Sequence, residues 1–291
     1  MAPLLSGVDL DLLAREVKDI YGKTITAINS FTEHTRQNSI VNTPKRRRVA
    51  MAAKMYLDLE SIGQGASQAY IHFPKGLDNL LKAKEVYEQA TEALMSNRIR
   101  VDCYGTVWRW EDPLPDDDGC EPGYWRNTWA NKRHSESARR IQEKGVPDKA
   151  DNACDYKGVL GFTTFPMYVS MCRALRKEYA TLYDAKAAIR KSKPGTALDY
   201  FFTPSKTLAH EVIHIARKDF TDERIIIGGV ERGAYNTIGA ISATVQGKAL
   251  TNVDNYAIFA LTVYLSDEFN FANGEKVEGN AVSPSKWWVP P

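Results

Sequence analysis

The chain has 291 residues, 43% of them apolar, enough to fill the core of one large domain or two lobes. Its 38 basic and 36 acidic residues nearly cancel, so net charge gives no reason to expect nucleic acid as a partner. No stretch approaches the ~18 consecutive apolar residues of a membrane span, and no membrane partner is expected.

Met1 to Asp9 is too short and too soon charged for a secretory leader. The chain is expected to be secreted with its leader outside this sequence, the cytoplasm being the alternative. Helical periodicity begins over residues 8–29 with Leu10, Leu13, Val17, Ile20, Tyr21, Ile25 and Ile28. The basic run Lys45-Arg46-Arg47-Arg48 after Pro44 reads as a solvated helix start rather than an import or processing signal. Residues 47–60 and 78–97 are helical in pattern, the second set off by Pro74 and Gly76 before it and Asn97 at its end.

Ile99, Val101 and Cys103 alternate as a short strand does over 99–103. Residues 104–157, with Trp108, Trp110, Trp125 and Trp129, show the least regularity and read as an inserted loop region stapled by a disulfide, its tryptophans packing anchors rather than a ligand platform. Cys103, Cys120, Cys154 and Cys172 form no C-x-x-C pair. Their even number reads as two disulfides in one of three pairings, against four reduced thiols in a cytosolic protein. Strand character resumes from Val159 to Cys172, residues 174–190 are helical, and Lys191 to Gly195 is a turn.

The next helix carries the chemistry. Thr203 reads as its N-cap and Pro204 as its first residue. Leu208, Val212, Ile215 and Ala216 make an apolar stripe, while Thr207, His210 and His214 share another face. His210-Glu211-Val212-Ile213-His214 is an H-E-x-x-H motif. Two imidazoles four residues apart lie one turn above each other and can converge on one Zn2+ at roughly 2.0–2.1 Å. Glu211 is then placed to take a proton from water at the open position and pass it to a leaving amine. A loop follows from Asp219 to Tyr235, then a strong helix from about Val253 to Leu265, and an extended tail ending Trp287-Trp288-Val289-Pro290-Pro291.

Zinc needs a third protein ligand. A third His in the H-E-x-x-H-x-x-G-x-x-H pattern is excluded, because Arg217 and Phe220 occupy those positions. An E-x-x-x-D pattern is absent too, since Glu231 is followed four residues later by Tyr235.

Ala249-Leu250-Thr251-Asn252-Val253-Asp254-Asn255-Tyr256-Ala257 resembles the A-x-x-N-A-D-x-Y-A helix of the deuterolysin family, the fungal aspzincin metallopeptidases that include peptidyl-Lys metalloendopeptidases. Thr207-Leu208-Ala209-His210-Glu211 resembles their T-x-x-H-E, and Val159-Leu160-Gly161-Phe162-Thr163 through Cys172 their V-L-A-Y-T segment. Tyr70 to Val86 and Arg100-Val101-Asp102-Cys103 extend the likeness, which covers residues 70–268. It implies an α+β, zincin-like metallopeptidase domain, mostly helical with a small sheet beside the metal helix. Residues 1–98 would be its helical N-terminal region, 99–202 the strand and Cys/Trp-rich part, and 203–291 the metal helix, ligand loop and last helix.

The family's third ligand is an Asp in G-T-x-x-D-x-x-Y-G, and this chain departs there. The nearest match, Gly228-Gly229-Val230-Glu231 through Tyr235, puts Glu231 in the ligand position and Tyr235 in the Tyr position, one residue further along, with Asp219, Asp222 and Glu223 as alternatives. Tyr235 is then the oxyanion donor or else a loop anchor. Asp254 orients a zinc-bound His, contacts a basic substrate side chain, or serves only as an N-terminal helix carboxylate. Lysine-specific members carry an acid where Ala257 stands, so a broader preference is expected. The expected activity is a zinc endopeptidase acting as a monomer on a peptide or protein substrate. The alternatives are a non-proteolytic zinc-binding or antigen-like protein and an effector protease with a narrow target.

Overall fold

The computed structural model describes residues 9–32, 39–41, 43–59, 70–72, 76–96, 98–103, 108–111, 124–127, 139–141, 154, 160–164, 167–172, 179–272 and 274–277. Helix α1 (Leu10–Thr32) buries Leu13, Val17, Ile20, Tyr21, Thr24, Ile28 and Phe31, residues spaced three or four apart. Strand β1 (Ser39–Val41) leads to α2 (Pro44–Leu57), where Thr43 accepts the Arg46 N–H at 3.3 Å and Pro44 sits in the first turn. The basic run therefore does open a helix. Strand β2 (Tyr70–His72) pairs antiparallel with β1 and precedes α3 (Leu77–Met95).

Strand β3 (Arg100–Cys103) follows. The segment expected to be irregular holds three antiparallel strands, β4 (Trp108–Glu111), β5 (Tyr124–Asn127) and β6 (Arg139–Ile141). Trp129, like the C-terminal Trp287 and Trp288, lies outside the described residues. Strands β7 (Gly161–Thr164) and β8 (Tyr168–Met171) complete a second three-stranded sheet in the order β3-β8-β7, with β3 parallel and β7 antiparallel to β8. A disulfide joins Cys154 to Cys172. The second pairing falls outside the described residues, because Cys120 is among those not described.

Helix α4 (Leu182–Lys191) and a 3-10 turn (Leu198–Phe201) lead into α5 (Pro204–Ala216), the H-E-x-x-H helix. Thr203 occupies the N-cap position, but its buried hydroxyl makes no cap bond. The loop expected from Asp219 to Tyr235 is a hairpin, β9 (Arg224–Ile227) and β10 (Val230–Gly233), turning on Gly228 and Gly229 at φ 59° and 78°. Two left-handed residues make the turn whose twist matches a two-residue hairpin. Helices α6 (Asn236–Val245) and α7 (Val253–Leu265) follow, then the hairpin β11 (Asn270–Ala272) and β12 (Glu275–Val277).

Mixed α+β architecture is thus present, with small sheets around a helical core. One apolar core runs from Leu13 to Phe271. Helix α7 is its axis, with every residue but Tyr264 buried, and it packs against α1, α2, α5 and α6. Two buried phenols pin the helices: Tyr21 donates to the Ala209 carbonyl of α5 at 2.5 Å and Tyr87 to the Tyr256 carbonyl of α7 at 2.8 Å. Packed on α1, α3, α7 and β7, α5 is buried on nearly all sides. No described helix is long and apolar enough to cross a membrane.

Candidate metal centre

His210 and His214 stand one turn apart on α5, and Asp222 reaches back to them from just before β9. His210 Nε2 lies 3.0 Å from Asp222 Oδ1, His214 Nε2 lies 3.3 Å from the same oxygen, and the two Nε2 atoms are 3.2 Å apart. Ligand atoms of a tetrahedral ion with bonds of roughly 2.0–2.1 Å are about 3.3 Å apart. The triangle of two imidazole nitrogens and one carboxylate oxygen therefore fits a small divalent cation (these three residues form the candidate metal group among the described residues).

Each other acid considered as third ligand is engaged elsewhere. Asp219 takes a two-pronged contact from Arg217, at 3.0 and 2.7 Å. Glu223 accepts the hydroxyls of Thr221 and Thr251 at 3.1 and 2.7 Å. Glu231, the expected ligand, is not brought to the cluster. It stands on exposed β10, opposite Ile226, and pairs with Arg224 at 3.0 Å. Residues 224 and 231 share the outer face of the hairpin, so the diagonal ion pair follows from the pleat.

Asp254 lies in the first turn of α7 with its side chain only 1% exposed, and both of its oxygens are used. Its Oδ1 takes the His210 Nδ1–H at 2.7 Å and the Lys206 ammonium, and its Oδ2 takes the Asn236 N–H at 2.8 Å. With Nδ1 protonated toward Asp254, neutral His210 presents its Nε2 lone pair to the triangle. Of the roles weighed for Asp254, orienting His210 is the one its contacts match, and at 1% exposure the carboxylate is closed to a basic substrate side chain. Without a cation, burial works against the His210 imidazolium, but hydrogen bonds to Asp222 and Asp254 outweigh it and push its pKa up to about 10. Burial likewise opposes ionisation of both carboxylates, and is overcome at Asp222 by the two histidines and at Asp254 by Lys206 and His210.

Asp254→Ala is expected to cost about 3–5 kcal/mol of folding stability, because it strands the Lys206 ammonium and the His210 N–H in the interior. Urea denaturation of the metal-free protein measures this as a lower midpoint at unchanged slope.

Glu211 is 4% exposed and faces β7. Thr163 donates to its Oε2 at 2.7 Å and also lies 3.1 Å from its main-chain oxygen. The carboxylate needs Gly161 beside it, since a Cβ there would sit 3.3 Å from Glu211 Oε1 and 3.2 Å from the Ser170 carbonyl. Tyr235 borders the same site: its hydroxyl donates to Asp222 Oδ2 at 3.1 Å, and its ring centre lies 6.4 Å from that of His210. Burial first, and then the Asp222 charge, hold its phenol above the usual tyrosine range.

Thr163 and Lys206 also touch the side chains of the site, on Glu211 and Asp254, and the motifs alone give them no role. Lys206 precedes His210 by one turn, the one spacing signal that could have flagged it. No family model, curated protein or solved structure matches the chain.

Proposed function

We propose that the chain is a zinc-dependent endopeptidase with a zincin-like, deuterolysin-type site. The observation that carries this reading is the His210–His214–Asp222 triangle together with a glutamate carboxylate, Glu211, fixed on the same helix by Thr163. Two nitrogens and one oxygen in tetrahedral spacing suit zinc. A zinc ion there would polarise a peptide carbonyl and make water nucleophilic near neutral pH.

The chain's own groups supply the rest. Glu211 accepts the proton of the attacking water and delivers it to the departing amine, so no covalent intermediate forms. Tyr235 exchanges Asp222 for the developing oxyanion and donates to it. Among the described residues, β7 pairs with β8 on one side only and runs beside α5. An extended peptide can add to such an edge, which holds its backbone in line with Glu211. The Cys154–Cys172 bond supports an oxidising, extracellular compartment.

The reading is tested by incubating zinc-loaded protein with an unbiased peptide mixture. Cleavage that stops with a chelator and returns with zinc is expected, and the cut sites give the P1′ preference. Zinc uptake without cleavage of peptides or unfolded proteins would replace the peptidase with a zinc-binding protein.

A further inference from the structure

The third ligand stands at the foot of a hairpin, and a hairpin foot is not by itself a rigid support. Here it is fixed by the segment that starts α7. The Thr221 N–H donates to the Thr251 carbonyl at 3.0 Å, and the Val253 N–H donates to the Thr221 carbonyl at 3.2 Å. On the other side of Asp222, the Glu223 N–H donates to Asn252 Oδ1 at 3.1 Å. Asn252 Nδ2 donates across the hairpin base to the Ala234 carbonyl at 3.2 Å, and the Ala234 N–H closes the base onto the Glu223 carbonyl at 2.7 Å. One buried amide, 1% exposed, therefore grips both feet of the hairpin, the residue after Asp222 and the residue before Tyr235.

Its orientation is dictated by its neighbour. Asn255 Nδ2 points at the Tyr56 and Ala240 carbonyls, at 2.8 and 2.9 Å, which turns Asn255 Oδ1 toward Asn252 as an acceptor at 2.6 Å. Asn252 must then present its NH2 to Asn255 and Ala234 and its oxygen to Glu223. Aspartate lacks the donors and alanine lacks both. The hairpin stem is held separately, by the Gln246 amide on the Ile226 N–H and carbonyl at 3.1 and 2.9 Å.

We propose that Asn252 is the positioning residue of the third metal ligand: its amide locks the hairpin base so that Asp222 meets His210 and His214 whatever the hairpin beyond it does. Because Asp254 orients His210 from the same helix start, residues 251–254 set two of the three ligands at once. The proposal rests on the metal-centre reading.

The test measures affinity for zinc ion alone, by competition with a chromogenic chelator, and the visible spectrum of the cobalt-loaded protein. Asn252→Ala is expected to weaken zinc binding about 10–100-fold, the range for loss of a partner that orients a ligand, and to change the cobalt spectrum. In an Asp222→Ala background it should cause no further loss, and Gln246→Ala should leave affinity within about twofold of wild type, as a site untouched by the mutation does. Should Asn252→Ala fail to fold, Asn252→Asp keeps the volume and is read in the same way. A folded Asn252 variant with wild-type affinity and spectrum, or an equal loss in the Asp222→Ala background, overturns the proposal alone. Wild-type protein that takes up no zinc overturns the metal-centre reading and the proposal with it.

Discussion

Asp222→Ala is expected to lower zinc affinity by more than about 100-fold, beyond the usual cost of an outer partner, while Glu231→Ala leaves it unchanged. Asp222 supplies the one anionic corner of the donor triangle, 3.0 and 3.3 Å from the two imidazole nitrogens. Without it two neutral nitrogens remain, and a cation keeps neither its third bond nor its charge compensation. Asn is the informative second variant, since an amide oxygen restores the shape without the charge and should recover only part of the loss. Glu231 offers the same chemistry on paper, but its carboxylate is 61% exposed and pairs with Arg224 across a hairpin, where an ion pair is worth little. Chelator competition on the two alanine variants separates the acids directly. Equal losses, or a loss at Glu231 alone, would require the hairpin to fold back over α5.

The same pair of residues shows how far the sequence could be read. H-E-x-x-H is legible because a helix converts a spacing of four into adjacency, so His210, Glu211 and His214 follow from local geometry. Asp254 was legible in its position at the head of the last helix, although its role depended on Lys206 and Asn236, which lie 48 and 18 residues away. The third corner of the candidate metal group is a different kind of problem. The nearest match to the family's motif is Glu231, with Tyr235 one residue out of step, but a hairpin separates Asp222 from Tyr235, and the two side chains meet only because its base is closed. The signal for that hairpin was present: Ile225-Ile226-Ile227 and Val230 flank Gly228-Gly229, the dipeptide that serves left-handed turn positions. Folding the loop at that point brings Asp222 beside Tyr235. The burial of the site was not legible for a related reason. The α5 stripe marked one apolar face, yet α1, α3, α7 and β7 surround the helix, so His210 and Glu211 are interior polar groups that need the partners Asp254 and Thr163. Partners of that kind lie far along the chain and leave no local period.

Glu211→Gln is expected to reduce peptide hydrolysis by about 10²–10⁴-fold, the contribution of a positioned acid–base group, with zinc affinity unchanged. The amide keeps the volume and can still accept from Thr163, but it cannot hold the proton that must pass from water to the amine. Because Glu211 is outside the donor triangle, a fall in kcat without loss of metal separates proton transfer from metal retention. Thr163→Val tests the orientation of the same carboxylate. It deletes one hydrogen bond of 2.7 Å to a charged oxygen, worth about 1.5–3 kcal/mol when the acceptor is ionised. Expressed wholly as misplacement of the base, that is a loss of roughly tenfold to a hundredfold in kcat. In the Glu211→Gln background the valine should add little, since the group it orients no longer carries a proton. Equal effects of Thr163→Val in both backgrounds would mean that the threonine supports the β7–α5 contact rather than the base. A metal-loaded Glu211→Gln protein that cleaves peptides as fast as wild type would show that the proton travels by another group.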